Sequence, residues 1–124
     1  MEEYKRWLRQ AEEDLNWAKQ SINSSIYYGA CFASQQAAEK ALKGFLLKKK
    51  RPLRKIHDLV AVLEDCLAID SAFEELRDYV KVLFPYYIET RYPDLGGFAG
   101  FDDTKAQEAY DSANKVIGFV KSKV

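Results

Sequence analysis

The spacing of apolar residues constrains the fold of this chain more than any other feature of its sequence. They recur at steps of three and four, as one face of a helix requires, and the first such series is Tyr4, Leu8, Ala11, Leu15, Ala18 and Ile22. No segment alternates apolar and polar residues for more than a few positions, so no strand is predicted. A chain of 124 residues is long enough to bury one core without metals or disulfides. We therefore predict an all-α fold, a single domain over 1–124 formed by an antiparallel up-and-down bundle of four to five helices.

Capping and breaking residues predict where these helices begin and end. Ser24 or Ser25 is expected to cap the second helix, and Pro52 is expected to end it. Ser71 begins a capping box with Glu74, and Pro85 predicts a kink or an early end of the fourth helix. The predicted helices span 2–22, 26–50, 57–67, 71–88 and 103–122, and residues 89–103, with their glycines and a proline, are predicted as a loop.

The second predicted helix has an alanine-rich face that favours close helix packing. Its buried side is predicted to comprise Tyr28, Cys31, Phe32, Gln35, Ala38, Leu42, Phe45 and Leu46.

Composition excludes several functional classes. The N-terminus is charged from its second residue and no apolar run is long enough to cross a bilayer, so we expect a cytoplasmic protein without a membrane partner. Cys31 and Cys66 lie within apolar helical patterns, and there is no CxxC motif and only one histidine. This pattern favours buried free thiols over a zinc site, and we expect neither a metal nor a cofactor.

Charge is distributed unevenly although the net charge is zero. Residues 1–57 contain twelve Lys and Arg against six Asp and Glu, whereas residues 58–103 contain three against eleven. The most basic segment, 48–55, has six basic residues in eight and is called the basic run below. Lysines at a helix C-terminus complement the helix dipole, which explains Lys48, Lys49 and Lys50 but not Arg51, Arg54 and Lys55. Phosphate binding by Arg51, Arg54 and Lys55 is the alternative interpretation.

Two further groups of residues have chemical potential. His57, the single histidine, follows Arg51 by six positions, and a histidine can act as a general base beside an arginine that holds a phosphate. Its alternative role is that of a residue at a helix start. The second group is Tyr86, Tyr87, Glu89, Arg91, Tyr92 and Asp94. Tyrosines beside an arginine can stack a base and hold a phosphate, or they can serve as core or dimer-interface aromatics.

Four segments together resemble the HEPN family, the nucleotide-binding domains of higher eukaryotes and prokaryotes. They are Trp7 with Ala11, Asp14 and Leu15; Gln35 to Lys43; His57 to Leu59; and Glu89 to Asp94. The resemblance covers nearly the whole chain. It implies a bundle similar to the C-terminal helical domain of kanamycin nucleotidyltransferase, usually dimeric.

The resemblance also implies two functions. The first is a non-catalytic module that binds a nucleotide or RNA and acts with a separate minimal nucleotidyltransferase, as a two-component or toxin–antitoxin pair. The second is a metal-independent ribonuclease toxin in which Arg51 and His57 form an Arg-x5-His motif. That pair precedes the third predicted helix, whereas ribonuclease members carry the motif inside a late helix, so the non-catalytic function is favoured. The residues predicted to bind a nucleotide or its phosphate are Lys40, Lys43, Arg51, Arg54, Arg91 and, through base stacking, Tyr92.

Overall fold

The computed structural model describes residues 2–92 and 100–124. Its helices are α1 (Glu3–Asn23), α2 (Tyr27–Lys48), α3 (Leu59–Leu67), a 3₁₀ helix (Ser71–Leu76), α4 (Arg77–Leu83), α5 (Tyr86–Glu89) and α6 (Asp103–Lys123). No strand occurs within these two described ranges. The predicted all-α bundle is therefore confirmed, with three long helices and a set of shorter ones.

The central element of the bundle is α2, which packs along α1 on one side and α6 on the other. Small residues allow this close approach, because the alanines of α2, α1 and α6 are buried where the helices meet. At Gly44, a Cβ would lie 3.2 Å from the Leu8 side chain. The backbone of α2 therefore packs directly against the Leu8 side chain of α1. The bulky part of the core, including Phe45, Phe73 and Leu63, fills the space toward the shorter helices.

The predicted serine cap of α2 is wrong, because the serines end α1 instead. Ser25 has a positive φ of 59°, and the amide of Ile26 donates to the Ser21 carbonyl at 2.7 Å. This is the Schellman arrangement, which satisfies the last carbonyls of a helix. The N-cap residue of α2 is Ile26, whose side chain forms no capping hydrogen bond.

The same device ends α2 two residues before the predicted end at 50. Lys50 also has a φ of 59°, and the amide of Arg51 donates to the Leu46 carbonyl at 2.9 Å. Pro52 therefore follows the helix end, a position where proline is common. Tyr28, predicted to be buried in α2, is 56% exposed, whereas Tyr27 and Ala30 of the same first turn pack against or within the core.

The single helix predicted over 71–88 is three short pieces. Asp70, not Ser71, is the capping residue: its carboxylate accepts a hydrogen bond from the Ala72 amide at 2.9 Å, and a tight 3₁₀ turn follows. Pro85 interrupts the helix as predicted, because α4 ends at Leu83 and α5 begins at Tyr86. Much of the loop predicted over 89–103, including Pro93 and Asp94, lies outside the described residues.

Aspartates begin α3 and α6. Asp58 accepts a hydrogen bond from the Ala61 amide at 3.0 Å, and Asp102 accepts one from the Lys105 amide at 2.8 Å. Helix α3 therefore starts at Leu59, two residues after the predicted His57, because the N-cap residue itself is not helical. Across 2–92 and 100–124, none of the helices combines the length and apolarity that a bilayer crossing needs.

Candidate functional site

A row of polar residues crosses the largely apolar buried face of α2. Gln35, Glu39 and Lys43 follow one another at intervals of four, so they lie on one helix face. The Gln35 amide and the Lys43 ammonium donate to the Glu39 carboxylate at 3.1 and 3.0 Å. Glu39 is only 3% exposed and Lys43 only 6%. A buried charge is strongly disfavoured unless it is paired and hydrogen-bonded, and these contacts meet that requirement.

The segment before α3 docks onto this row. His57 Nδ1 lies 3.1 Å from Glu39 Oε2 and 3.3 Å from Oε1, and Lys43 Nζ donates to the Ile56 carbonyl at 2.7 Å. The His57 side chain stays 47% exposed. One imidazole nitrogen is therefore oriented by a buried carboxylate, while the other forms no hydrogen bond with a described residue. A histidine held in this way is suited to proton transfer at its free nitrogen.

Tyr87 of α5 joins this site. Its ring stacks on the His57 imidazole with 4.3 Å between ring centroids and 11° between planes. The Arg91 guanidinium lies over the same tyrosine ring at 4.9 Å from the centroid. We call Gln35, Glu39, Lys43, His57, Tyr87 and Arg91 the His57 site. Its cation-and-aromatic surface matches the kind of platform on which a base stacks beside a phosphate.

A second arrangement surrounds the basic run. A groove of about 320 Å³ is lined by the apolar residues Leu46, Pro52, Ala68 and Ile69 and by Arg51, Arg54 and Asp65. The Arg54 guanidinium donates two hydrogen bonds to the Asp65 carboxylate, of 2.9 and 3.0 Å. Arg51 forms no ion pair with a described residue. We call this the Arg51 groove.

The six residues predicted to bind phosphate are distributed over three places. Lys40 Nζ bonds Asp14 of α1 at 2.7 Å, and Asp14 is itself 5% exposed. Lys43 belongs to the His57 site, where it is paired with Glu39, and either lysine would approach a phosphate only by leaving its carboxylate. Arg51 and Arg54 share the groove. Arg91 lies over Tyr87 and so belongs to the His57 site with Lys43, and the next residue, Tyr92, is about half exposed. Phosphate binding by these residues stays a prediction.

The predicted Arg51 and His57 pair is also divided between these places. Arg51 faces the groove, while His57 contacts Glu39 and Tyr87. The arginine near His57 is instead Arg91, because both side chains contact the Tyr87 ring. Sequence reasoning assigned no functional role to Gln35 and Glu39, although their spacing of four from each other and from Lys43, within an alanine-rich helix, is a signal that could have indicated them.

The cysteines do not contribute a reactive group. Both are free and buried, as predicted. Burial raises the pKa of the Cys31 thiol to about 12 and that of Cys66 to about 12. Since only the thiolate is an effective nucleophile, neither side chain is suited to covalent catalysis at neutral pH.

Fold and site together define a small helical bundle with a buried ion-pair row on its central helix. The HEPN domain matches residues 4–123, and the chain belongs to the HEPN family. The similarity to the kanamycin nucleotidyltransferase domain in particular stays a prediction.

Solved structures agree with this assignment. TT1696 from Thermus thermophilus is 38% identical with a TM-score of 0.91, and the match covers 100% of both chains. ST0689, an archaeal HEPN homologue, is 26% identical with a TM-score of 0.77 over 99% of this chain and 98% of its own. A HEPN domain protein of Thermotoga maritima, tm0613, is 26% identical with a TM-score of 0.69 over 94% and 95%. No curated protein matches the chain.

Proposed function

We propose that this HEPN protein is a non-catalytic module that binds a nucleotide or RNA and acts with a separate protein of the minimal nucleotidyltransferase kind, as a two-component or toxin–antitoxin pair. The observation that carries the nucleotide-binding part is the Arg51 groove. An arginine without an acidic partner among the described residues lines it beside an apolar floor, and the exposed lysines of the basic run adjoin it.

The chemistry of the groove suits a nucleotide better than an inorganic anion alone. Leu46, Pro52 and Ile69 offer apolar surface to a base or a ribose, and the Arg51 guanidinium can hold a phosphate in bidentate fashion. Arg54 would have to share its charge between the phosphate and Asp65, which limits the affinity. Because phosphate contacts dominate such binding, it should weaken steeply as salt rises.

A titration with ATP and with short RNA at low and moderate salt tests this proposal. We expect Arg51→Ala/Arg54→Ala to bind more weakly by about tenfold or more, since charged hydrogen bonds contribute roughly 1.5–3 kcal/mol each. The matched control is Lys19→Ala/Lys115→Ala, which removes the same charge from exposed positions outside the groove. Equal binding by both variants, or no binding by the wild type at low salt, would mean that the basic run is only a solvated surface.

The partner-binding part extends to self-association as a homodimer. Trp17, Tyr28, Ile88 and Tyr92 are each about half exposed. Contacts through Phe32 connect Trp17 to Tyr87, at centroid distances of 6.3 and 6.5 Å. Exposed apolar patches of this kind mark interaction surfaces, and two-fold pairing is the commonest way to cover one. We call Trp17, Phe32, Tyr87 and Ile88 the aromatic surface.

Metal-independent RNA cleavage is the second candidate function, and the Glu39–His57 pair favours it. A buried carboxylate that orients a half-exposed histidine is an arrangement for general base catalysis toward a ribose hydroxyl. Arg91, over the same Tyr87 ring, would stabilise the phosphate that is attacked. One histidine supplies a base but no separate acid, so the non-catalytic function is preferred.

An assay on diverse RNAs in the presence of EDTA separates the two functions. We expect no cleavage by the wild-type protein. Cleavage that His57→Gln abolishes, and that Glu39→Gln slows with a changed pH profile, would establish the ribonuclease instead. Melting temperatures of both variants must be compared with the wild type, because loss of the Glu39–His57 contact also affects packing.

A further inference from the structure

A groove between α4 and α6 lies outside both sites described above. Its volume is about 610 Å³, and the residues that give it its character are Asp78, Tyr79, Asp103, Glu108, Asp111 and Ser112. A volume in this range accommodates a ligand or a short segment of chain rather than the face of a whole domain. We call it the acidic groove.

The charges of the acidic groove are unbalanced. Four carboxylates line it against one ammonium group, that of Lys115. Within 2–92 and 100–124, Asp78, Asp103, Glu108 and Asp111 form no ion pair, although Asp111 accepts a hydrogen bond from Gln107 at 3.0 Å. Many other carboxylates of the chain have cationic partners, such as Asp14, Glu39 and Asp65. The groove is therefore a place where negative charge is left for a ligand to neutralise.

Ser112 provides an independent indication of a ligand. It is only 4% exposed and lines the groove, yet its hydroxyl makes no hydrogen bond with any described residue. Unlike Ser34 Oγ, this hydroxyl is not sealed away from solvent, so a donor or acceptor that enters the groove can reach it. Tyr79 and Val82 line the opposite side, where an aromatic ring and an aliphatic side chain can cover the stem of a lysine or arginine.

We infer that the acidic groove binds a short Lys/Arg-rich segment of a partner protein. The carboxylates attract cations, and the Ser112 hydroxyl can form a hydrogen bond with a peptide amide or carbonyl. The Tyr79 ring favours arginine or lysine over a metal ion. Asp103 and Asp111 are two helical turns apart, on the order of 12 Å, which is about four residues of an extended peptide. The inference rests on the partner-binding part of the proposed function and does not depend on the nucleotide.

Fluorescence anisotropy with a labelled short peptide of alternating lysine and arginine tests the inference on the full chain. Glu108→Gln/Asp111→Asn removes two charges from exposed helix positions while it retains side-chain size and the acceptor for Gln107. We expect this variant to bind the peptide about fivefold or more weakly, as the loss of two ion pairs would produce. The matched control, Glu3→Gln/Glu75→Gln, removes two exposed charges outside the groove and should bind like the wild type. Ser112→Val should weaken binding without a change of charge.

If peptide binding weakened equally in the groove variant and in the control, net charge alone would explain the effect and the inference would be overturned. Absence of peptide binding by the wild type at low salt would also overturn it. Displacement of the peptide by spermine at the same concentration of positive charge would indicate a polyamine site and would also overturn it. ATP titration of the same variants keeps the outcomes apart. Failure of nucleotide binding would leave the peptide result intact, and the reverse also holds.

Discussion

Among single residues, the buried polar side chains of α2 differ in how well they are satisfied. The Gln35 amide donates a hydrogen bond to Glu39, and Lys43 and His57 form the other polar contacts of that carboxylate. Ser34, next to them in sequence, is 0% exposed, and its Oγ has no hydrogen-bond partner among the described residues. An unmade buried hydrogen bond is a net cost, so Ser34 is a point of local weakness in the core.

We expect Ser34→Ala to stabilise the protein by about 1 kcal/mol, because it removes an unsatisfied hydroxyl and adds helix propensity. The corresponding rise in melting temperature is roughly 3–6 °C for a domain of this size. Thermal unfolding followed by circular dichroism measures it. Ser122→Ala, at an exposed position where the hydroxyl bonds the Phe119 carbonyl, should change little by comparison. A fall in stability of Ser34→Ala would contradict this account of the core.

Among the helices, the ends depend on few residues, and the chain between α3 and α4 shows this most clearly. Asp70 caps the 3₁₀ helix through the Ala72 amide and also pairs with Lys123 of α6 at 3.0 Å. The Ala72 hydrogen bond and the Lys123 ammonium lower the pKa of the Asp70 carboxyl below its usual value. One aspartate therefore links a local turn to the far end of the chain.

Asp70→Ala should lower the melting temperature at neutral pH, whereas Ser71→Ala should not. Since the pKa of Asp70 is lower in the folded state, its contribution is present above the ordinary aspartate pKa and is lost as pH falls through the folded value. The difference between wild type and Asp70→Ala should therefore close as the pH is lowered beyond the ordinary range of aspartate pKa values. Thermal unfolding at neutral and at acidic pH measures this. A larger loss of stability in Ser71→Ala than in Asp70→Ala would contradict the Asp70 cap and support the capping box predicted from the sequence.

For the molecule as a whole, charge and apolar surface are segregated. The basic run lies after α2, the acidic groove lies between α4 and α6, and the aromatic surface joins α1, α2 and α5. A chain of zero net charge can thus attract an anion at one place and a cation at another. The proposed nucleotide, protein segment and second copy would thus each bind to a different surface.

Sedimentation at micromolar concentration should give a species of about twice 14.3 kDa if the proposed homodimer forms through the aromatic surface. Trp17→Glu and Ile88→Glu should each shift it toward the monomer, because a charge at the centre of an apolar interface remains unpaired on association. Val124→Glu, at an exposed apolar residue outside that surface, is the control. A wild-type protein that sediments as a monomer would refute the dimer.

Sequence reasoning was sufficient for the fold because helix formation depends on local spacing. The apolar period located all the long helices to within two residues, and Pro85 predicted a break that is present. The details at helix ends were less predictable. Ser25 and Lys50 both adopt a left-handed conformation that glycine would ordinarily signal, and Asp70 took the cap expected of Ser71.

The candidate site was predictable only in part. His57, Lys43 and Arg91 could be selected from the sequence as charged or titratable residues in suggestive segments. Their partners could not, since Glu39 meets His57 across 18 positions and Tyr87 reaches the same imidazole from α5. Such contacts depend on how each helix is rotated and packed against α2. Local periodicity thus fixes which residues form helices, while the docking of those helices in three dimensions selects which charges become neighbours and which remain free to bind a ligand.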